Sequence, residues 1–226
     1  MMVATAGAKT EPDLDTSGWL IPHPTRQRQV VDGVVVYCDT NRHNQYPYIW
    51  NTRFLHTYCH ASQMSPAIGD ICLWVSPDPF GSPEHLWCDL VFFVEAKIYW
   101  QDANTIQPTD PLIDTPMSYS DHYRWHGDHP YRRRRRYTLK ADPVSSFQPQ
   151  ERDGSLIDIQ PMVVASGISA EELRSGLRAG FGGKPLRIPG RVAAYISQQL
   201  AGAATCLCGS QLEELRHYHQ ELASHG

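Results

Sequence analysis

The chain has 226 residues, of which 41% are hydrophobic and 19% are charged, and its formal net charge is −4. This composition supports a hydrophobic core and excludes bulk disorder as the expected state of the chain. The small negative charge argues against a protein that coats nucleic acid by charge alone. The length predicts one elaborated domain, or a domain with an appendage.

The first 29 residues, with Pro12, Pro22 and Pro24, are predicted to form a flexible leader. Residues 1–15 contain no apolar segment typical of a signal peptide, and no run in the chain reaches the roughly 18 apolar residues of a membrane span. We therefore expect no membrane partner and a cytoplasmic protein. Its six cysteines are then expected to be reduced thiols. Those in or beside apolar runs should pack as small buried hydrophobes, namely Cys38, Cys59, Cys72 and Cys88.

A β-rich core domain is predicted over residues 30–165. Strands are expected at the apolar runs 33–38, 71–75 and 90–94, and another short one at 155–160. The residues Ala67, Ile68, Gly69 and Asp70 predict a tight turn before the second of these runs. Residues 53–60 fit either a strand or a short helix, because their periodicity does not decide between the two.

A helical C-terminal part is predicted over residues 166–226. Ser169 and Glu172 have the spacing of a capping box at a helix N-terminus, and Gly180 is expected to end that helix. Two more helices are expected over residues 191–201 and 210–223. The sequence therefore predicts an α+β fold, with a mixed or antiparallel, β-barrel-like core followed by helices.

Five consecutive arginines, residues 132–136, are the strongest electrostatic feature of the chain. Their guanidinium groups suit phosphate, and neighbouring aromatic rings, including Trp125, suit stacking on bases. Only alternate residues of a strand share one face, so one surface could hold either Arg132, Arg134 and Arg136 or Arg133 and Arg135. We expect the first set to contact nucleic acid. The structural alternative is a solvated edge strand whose charges prevent aggregation.

Acid–base chemistry is suggested by Glu95, His122 and Asp128. Glu95 follows the apolar run 90–94, where a carboxylate is suited to acid or base catalysis or to an ion pair with Lys97. His122 and His126 are four residues apart, as in some zinc sites, but Gly127 and Pro130 argue against a helix there. These residues equally suit a polar loop, and no metal site is predicted.

Several elements over about residues 34–100 resemble the second family of nucleotide-modification-associated domain proteins of phages and bacteria. The similar elements are residues 36–39, the segment through Cys59, residues 68–71, residues 91–96, and Tyr99 with Trp100. The Gly69-Asp70 turn between strands also resembles the PUA-like barrels, including ASCH domains, which bind RNA or modified bases. The resemblance implies a PUA-like core and a nucleic-acid context, such as DNA modification or phage defence.

We therefore expect a nucleic-acid- or nucleotide-associated protein that reads or acts on a modified base. Trp74, Tyr99, Trp100 and Trp125 would line the base pocket, while Arg53 and the arginine run would hold phosphate. One alternative is an enzyme, either a base-modifying transferase or a nuclease, that uses Glu95, His122 and His126. Another is a module that binds a protein partner. The sequence indicates no particular cofactor, and it leaves open whether the protein is an enzyme.

Overall fold

The computed structural model describes residues 16–22, 27–31, 33–38, 66–78, 84–99, 137–142, 144–177, 185–203 and 205–208. The strands are β1 (Ser17–Pro22), β2 (Gln27–Val31), β3 (Val34–Cys38), β4 (Ile71–Asp78), β5 (His85–Tyr99), β6 (Tyr137–Ala141), β7 (Phe147–Gln150), β8 (Ile157–Asp158), β9 (Leu186–Pro189) and β10 (Thr205–Cys208). The helices are α1 (Gln160–Ala165), α2 (Ala170–Gly176) and α3 (Gly190–Ala203). The predicted α+β class is confirmed.

The described strands form a mixed eight-stranded sheet and a separate hairpin of β2 and β3. The sheet order is β10-β7-β5-β4-β1-β9, and β6 and β8 also pair with β5. Only the β1–β4 pair is parallel within this part of the chain. A barrel requires its first and last strands to pair. Since β9 and β10 do not pair, the described sheet is open, and the expected barrel-like closure is not found in it.

Strand β1 corrects the prediction of a flexible leader over residues 1–29. Ser17–Pro22 is buried along its whole length between β4 and β9. Gly18 permits this packing, because a Cβ atom there would lie 2.5 Å from the Ala193 Cβ of α3. Pro12, Pro22 and Pro24 suggested a leader, but Pro22 is the last residue of β1. The hairpin strand β2 also begins within this region, at Gln27.

The predicted runs 33–38, 71–75 and 90–94 all lie in strands, and the last belongs to the 15-residue strand β5. Trp74 pairs with Leu90 and Val75 pairs with Cys88, so Asp89 is the extra residue of a β-bulge. The predicted turn before β4 is present, and Gly69 adopts a φ of 90° in it. Four neighbours pair with β5, so it organises the sheet: β4, β6, β7 and β8.

The C-terminal region contributes strands as well as helices. The capping box of α2 is present, since Ser169 Oγ accepts from the Glu172 N–H and Glu172 accepts from the Ser169 N–H. Helix α3 covers the predicted segment 191–201. The segment 155–160 forms only the two-residue strand β8, after which Pro161 helps to start α1. The predicted helix over residues 210–223 lies outside the described residues, and the division at residue 165 stays a prediction.

The two faces of the central sheet differ in chemistry. The aliphatic face packs against α1 and α3 and contains Leu20, Ile71, Leu73, Val75, Leu86 and Val91. Because side chains alternate along a strand, the intervening residues form the opposite face. We call this the aromatic–polar face; it contains Trp19, Cys72, Trp74, Ser76, Trp87, Leu90, Phe92, Gln148 and Gln150.

None of the helices in the described ranges is long and apolar enough to cross a membrane.

Candidate functional site

The aromatic–polar face is buried although it carries hydrogen-bonding side chains. Ser76 is 0% exposed, Gln148 is 1% exposed and Gln150 is 3% exposed. Asp89, the bulge residue beside this face, is also 0% exposed. Burying such groups costs free energy unless they are hydrogen-bonded, so a purely structural face is usually apolar. This concentration of buried polar groups makes the face the candidate functional site.

Strand register places an aromatic ring and an amide in one row of this face. Trp74 pairs with Leu90, and on the other side of β5 Val91 pairs with Phe147. In an antiparallel pair the residue after Phe147 falls beside the residue before Val91, so Gln148 lies next to Leu90. Two strand spacings separate Trp74 from Gln148, which is about 10 Å between their Cα atoms.

Gln148 and Gln150 share this face but differ in their hydrogen bonding. The Gln150 side chain donates from Nε2 to the Val35 carbonyl oxygen of the hairpin. In the described part of the chain, neither Oε1 nor Nε2 of Gln148 has a hydrogen-bond partner, and the same holds for Ser76 Oγ. An unsatisfied buried polar group costs about 1–3 kcal/mol. Gln148 and Ser76 therefore offer hydrogen-bonding capacity that these parts of the fold leave unused.

The exposed end of the face carries a ring stack and an ion-pair geometry. The rings of His85 and Trp87 stack with centroids 5.2 Å apart and planes at 18°. His85 Nδ1 lies 2.8 Å from Asp158 Oδ2. Asp158 Oδ1 accepts from the backbone N–H groups of Leu86 and Gln160. Asp158 thereby joins β5 to the start of α1 and fixes the orientation of the His85 ring.

Asp70 has a structural role next to the face. Its carboxylate accepts hydrogen bonds from Ser17 N–H, Trp19 Nε1–H and Ala67 N–H, each at 2.8 Å. These bonds connect the turn before β4 to β1. Burial, and secondarily the charge of Asp70, raises the pKa of the Cys72 thiol well above its ordinary value. Cys72 and Cys88 are both buried thiols, as predicted for cysteines within apolar strands.

Three of the predicted site residues lie in the described ranges. Trp74 is on the aromatic–polar face and is 6% exposed. Glu95 lies on β5 and is exposed, next to a strand irregularity between Val94 and Ala96, and Tyr99 is the last residue of the same strand. The others lie outside the described residues: Arg53, Trp100, His122, Trp125, His126, Asp128, Arg132, Arg134 and Arg136. The roles assigned to all of these residues stay predictions.

Sequence reasoning missed Ser76, Asp89 and Gln148. The available signal for Gln148 was the alternation in Phe147–Gln150, where polar and less polar residues follow one another as in a strand. Polar residues in such a pattern ordinarily face water, so the pattern alone would not indicate burial. Only the pairing of β7 with β5 and β10 places Gln148 inside the sheet.

The described ranges contain no group of three His, Cys, Asp or Glu side chains that could hold a metal ion.

Comparison with known proteins yields one structural similarity of low score. No protein-family model matches the chain, and no curated protein matches it. Among solved structures, the chain is similar to a mutant ZmASCH protein from Zymomonas mobilis, with 13% identity and a TM-score of 0.35. The match covers 85% of this chain and 100% of the ZmASCH chain. A TM-score of this size does not establish a shared fold or a shared activity.

Proposed function

We propose that the protein is nucleic-acid- or nucleotide-associated and that it holds a base on the aromatic–polar face. The observation that carries this proposal is the row of Trp74 and Gln148 on a buried sheet face. An aromatic ring stacks on the face of a base, and buried polar groups hydrogen-bond to its edge. This combination is typical of sites that receive a base removed from its stack.

The sequence supplies the groups for the charged part of such a ligand. Arg53 and the run containing Arg132, Arg134 and Arg136 are suited to phosphate, and Trp100 and Trp125 are suited to further stacking. We therefore propose that the base lies on the sheet and that arginines bind the phosphates of the nucleotide or nucleic acid that carries it. A modified base, in a DNA-modification or phage-defence setting, is the narrower form of the proposal.

The test is fluorescence-polarisation binding of labelled RNA, single-stranded DNA, double-stranded DNA and modified-base oligonucleotides. The wild type is compared with an Arg132/Arg134/Arg136→Ala variant at two salt concentrations. A matched control removes three exposed arginines elsewhere, in Arg152/Arg174/Arg191→Ala. We expect saturable, salt-sensitive binding that weakens more than about tenfold in the first variant and little in the control.

A Trp74→Leu variant tests the stacking part of the proposal. Base–aromatic stacking contributes about 1–3 kcal/mol per base, so this variant should bind single strands about fivefold or more weakly. Absence of binding to every oligonucleotide and to free nucleotides would overturn the proposal and direct attention to a protein partner. Equal weakening by both triple-arginine variants would show a diffuse charge effect rather than a defined phosphate site.

A further inference from the structure

We infer that Gln148 determines which base is bound, by pairing its side-chain amide with a neutral ring edge that carries a donor next to an acceptor. This inference rests on the proposed function and names the ligand class of the same face. It concerns the base itself, and it does not depend on the arginine run.

The first support is that the side-chain amide of Gln148 has no hydrogen-bond partner among the described residues, although the backbone of its strand pairs with neighbours on both sides. Gln148 pairs with Leu207 of β10 on one side of β7, while Phe147 pairs with Val91 of β5 on the other. Its side chain is 1% exposed, and within the described residues both amide atoms lack a hydrogen-bond partner. Buried polar groups in native proteins are normally satisfied, so an unsatisfied one indicates a missing ligand or a bound water.

The second support is the contrast with Gln150 on the same strand and face. Its amide bonds to the hairpin, which shows what a structural glutamine does in this environment. Gln148 precedes it by two residues, and its row leads across Leu90 to the Trp74 ring. An amide intended only to hold the fold together would be expected to have a partner like that of Gln150.

The chemistry of the amide defines the ligand class. A glutamine side chain presents one acceptor oxygen and one NH₂ donor in a plane. Its complement is a planar edge with an adjacent donor and acceptor, such as the N–H and C=O of uracil or the N7 and amino group of adenine. Ser76, which pairs with Trp87 on the same face, offers a hydroxyl that can donate or accept.

The burial of the row favours the base over the phosphate as the buried part. Gln148 is 1% exposed and Trp74 is 6% exposed, and taking an anion out of water costs far more free energy than taking a neutral ring out of water. A base that reaches a side chain buried this deeply is itself removed from water. Under those conditions a mismatched edge leaves buried groups unpaired, which makes discrimination strong.

The experiment uses the full chain with Gln148→Met, which keeps the length of the side chain and removes the amide. Calorimetric titration with uridine, cytidine, adenosine and guanosine in high salt measures the base contribution without the phosphate contribution. We expect the wild type to bind a subset of these nucleosides and Gln148→Met to bind at least about tenfold more weakly. Gln198→Met, an exposed change on α3, should bind like the wild type.

A Gln148→Glu variant tests recognition rather than packing. A carboxylate only accepts, so at neutral pH the preference should move toward guanosine, whose N1–H and amino group present two adjacent donors. A preference unchanged by this substitution would overturn the inference.

The remaining outcomes separate the inference from the proposed function. If Gln148→Met binds nucleosides as tightly as the wild type does, the inference is overturned. It is also overturned if the wild type binds oligonucleotides but no nucleoside. Neither result contradicts the proposed function. A crystal structure of the wild type with an ordered water on the amide, and no nucleoside binding, would assign Gln148 a structural role. Failure to bind oligonucleotides and nucleosides alike overturns both.

Discussion

At the scale of single residues, Gln148 and Gln150 separate two uses of the same side chain. Both are buried on one face of β7, but only Gln150 has a hydrogen-bond partner among the described residues, the Val35 carbonyl. Removing a buried amide that is hydrogen-bonded leaves its partner group without a hydrogen bond. Removing a buried amide that has no partner removes the free-energy cost of its desolvation. Substituting each glutamine and measuring the change in the free energy of unfolding therefore shows whether its amide stabilises the fold.

We predict opposite stability effects for Gln148→Met and Gln150→Met. The first should leave the free energy of unfolding unchanged or raise it by about 1–2 kcal/mol, because it removes an unpaired buried amide. The second should lower that free energy by about 1–3 kcal/mol, because it leaves the Val35 carbonyl without its bond. Urea unfolding monitored by tryptophan fluorescence measures both. Equal destabilisation by the two substitutions would mean that the Gln148 amide holds the fold together.

The residue type made Trp74 a candidate from the sequence alone, since a large ring suits stacking on a base. It lies buried on the aromatic–polar face, and its role in a site stays a prediction. Gln148 was missed because a glutamine in a strand ordinarily faces solvent. Its burial depends on strand pairing between distant segments, which no local pattern encodes.

At the scale of secondary-structure elements, local signals predicted those elements that local interactions stabilise. The capping box of Ser169 and Glu172 is such a signal, and α2 begins where it predicts. Strands β3, β4 and β5 contain β-branched and apolar runs with high strand propensity. Six of the described strands were missed, because they are four to six residues long and contain Gly, Gln, Pro or small polar residues: β1, β2, β6, β7, β9 and β10. Their extended conformation depends on their neighbours in the sheet.

We predict that the start of α2 depends on pH through Glu172. Hydrogen bonds from the backbone N–H and then the hydroxyl of Ser169 lower the pKa of Glu172 below its ordinary value of 4.5. A lowered folded-state pKa stabilises the fold above the unfolded-state pKa, and this contribution is lost as pH falls through the folded-state value. The stability advantage of the wild type over Glu172→Gln should therefore be present near neutral pH and disappear in acid.

Urea midpoints of the two proteins, measured from neutral pH to below the ordinary pKa of Glu172, test this dependence. A matched control is Glu171→Gln, which changes an exposed acidic residue in the same first turn. A constant difference between wild type and Glu172→Gln across the pH range would contradict a role for the carboxylate in the cap.

At the scale of the whole molecule, both faces of the central sheet are buried. Cys88 belongs to the aliphatic core, whereas Cys72 lies on the aromatic–polar face, and each is 0% exposed. The two thiols therefore act as natural probes of the two faces.

We predict that both thiols resist alkylation in the ligand-free native protein and react at the rate of global unfolding. Burial excludes the reagent from both, and the raised pKa of Cys72 further reduces its reactive thiolate form. Peptide-resolved mass spectrometry after pulsed labelling distinguishes these cysteines from the other four. Faster labelling of Cys72 than of Cys88 under native conditions would show that the aromatic–polar face opens separately.

The strand order also determines how this chain must be assembled during synthesis. Ser17 of β1 pairs with Pro189 of β9, and β5 pairs with strands that follow it by about 40 residues or more along the chain. Such long-range pairing gives a high contact order. This slows folding, because the entropy cost of bringing distant segments together comes before their contacts stabilise the fold. While the chain emerges from the ribosome, β1 and β4 are complete long before their last partners exist. Completion of the sheet is therefore a late event in folding, and the apolar strands made first depend on early protection from aggregation.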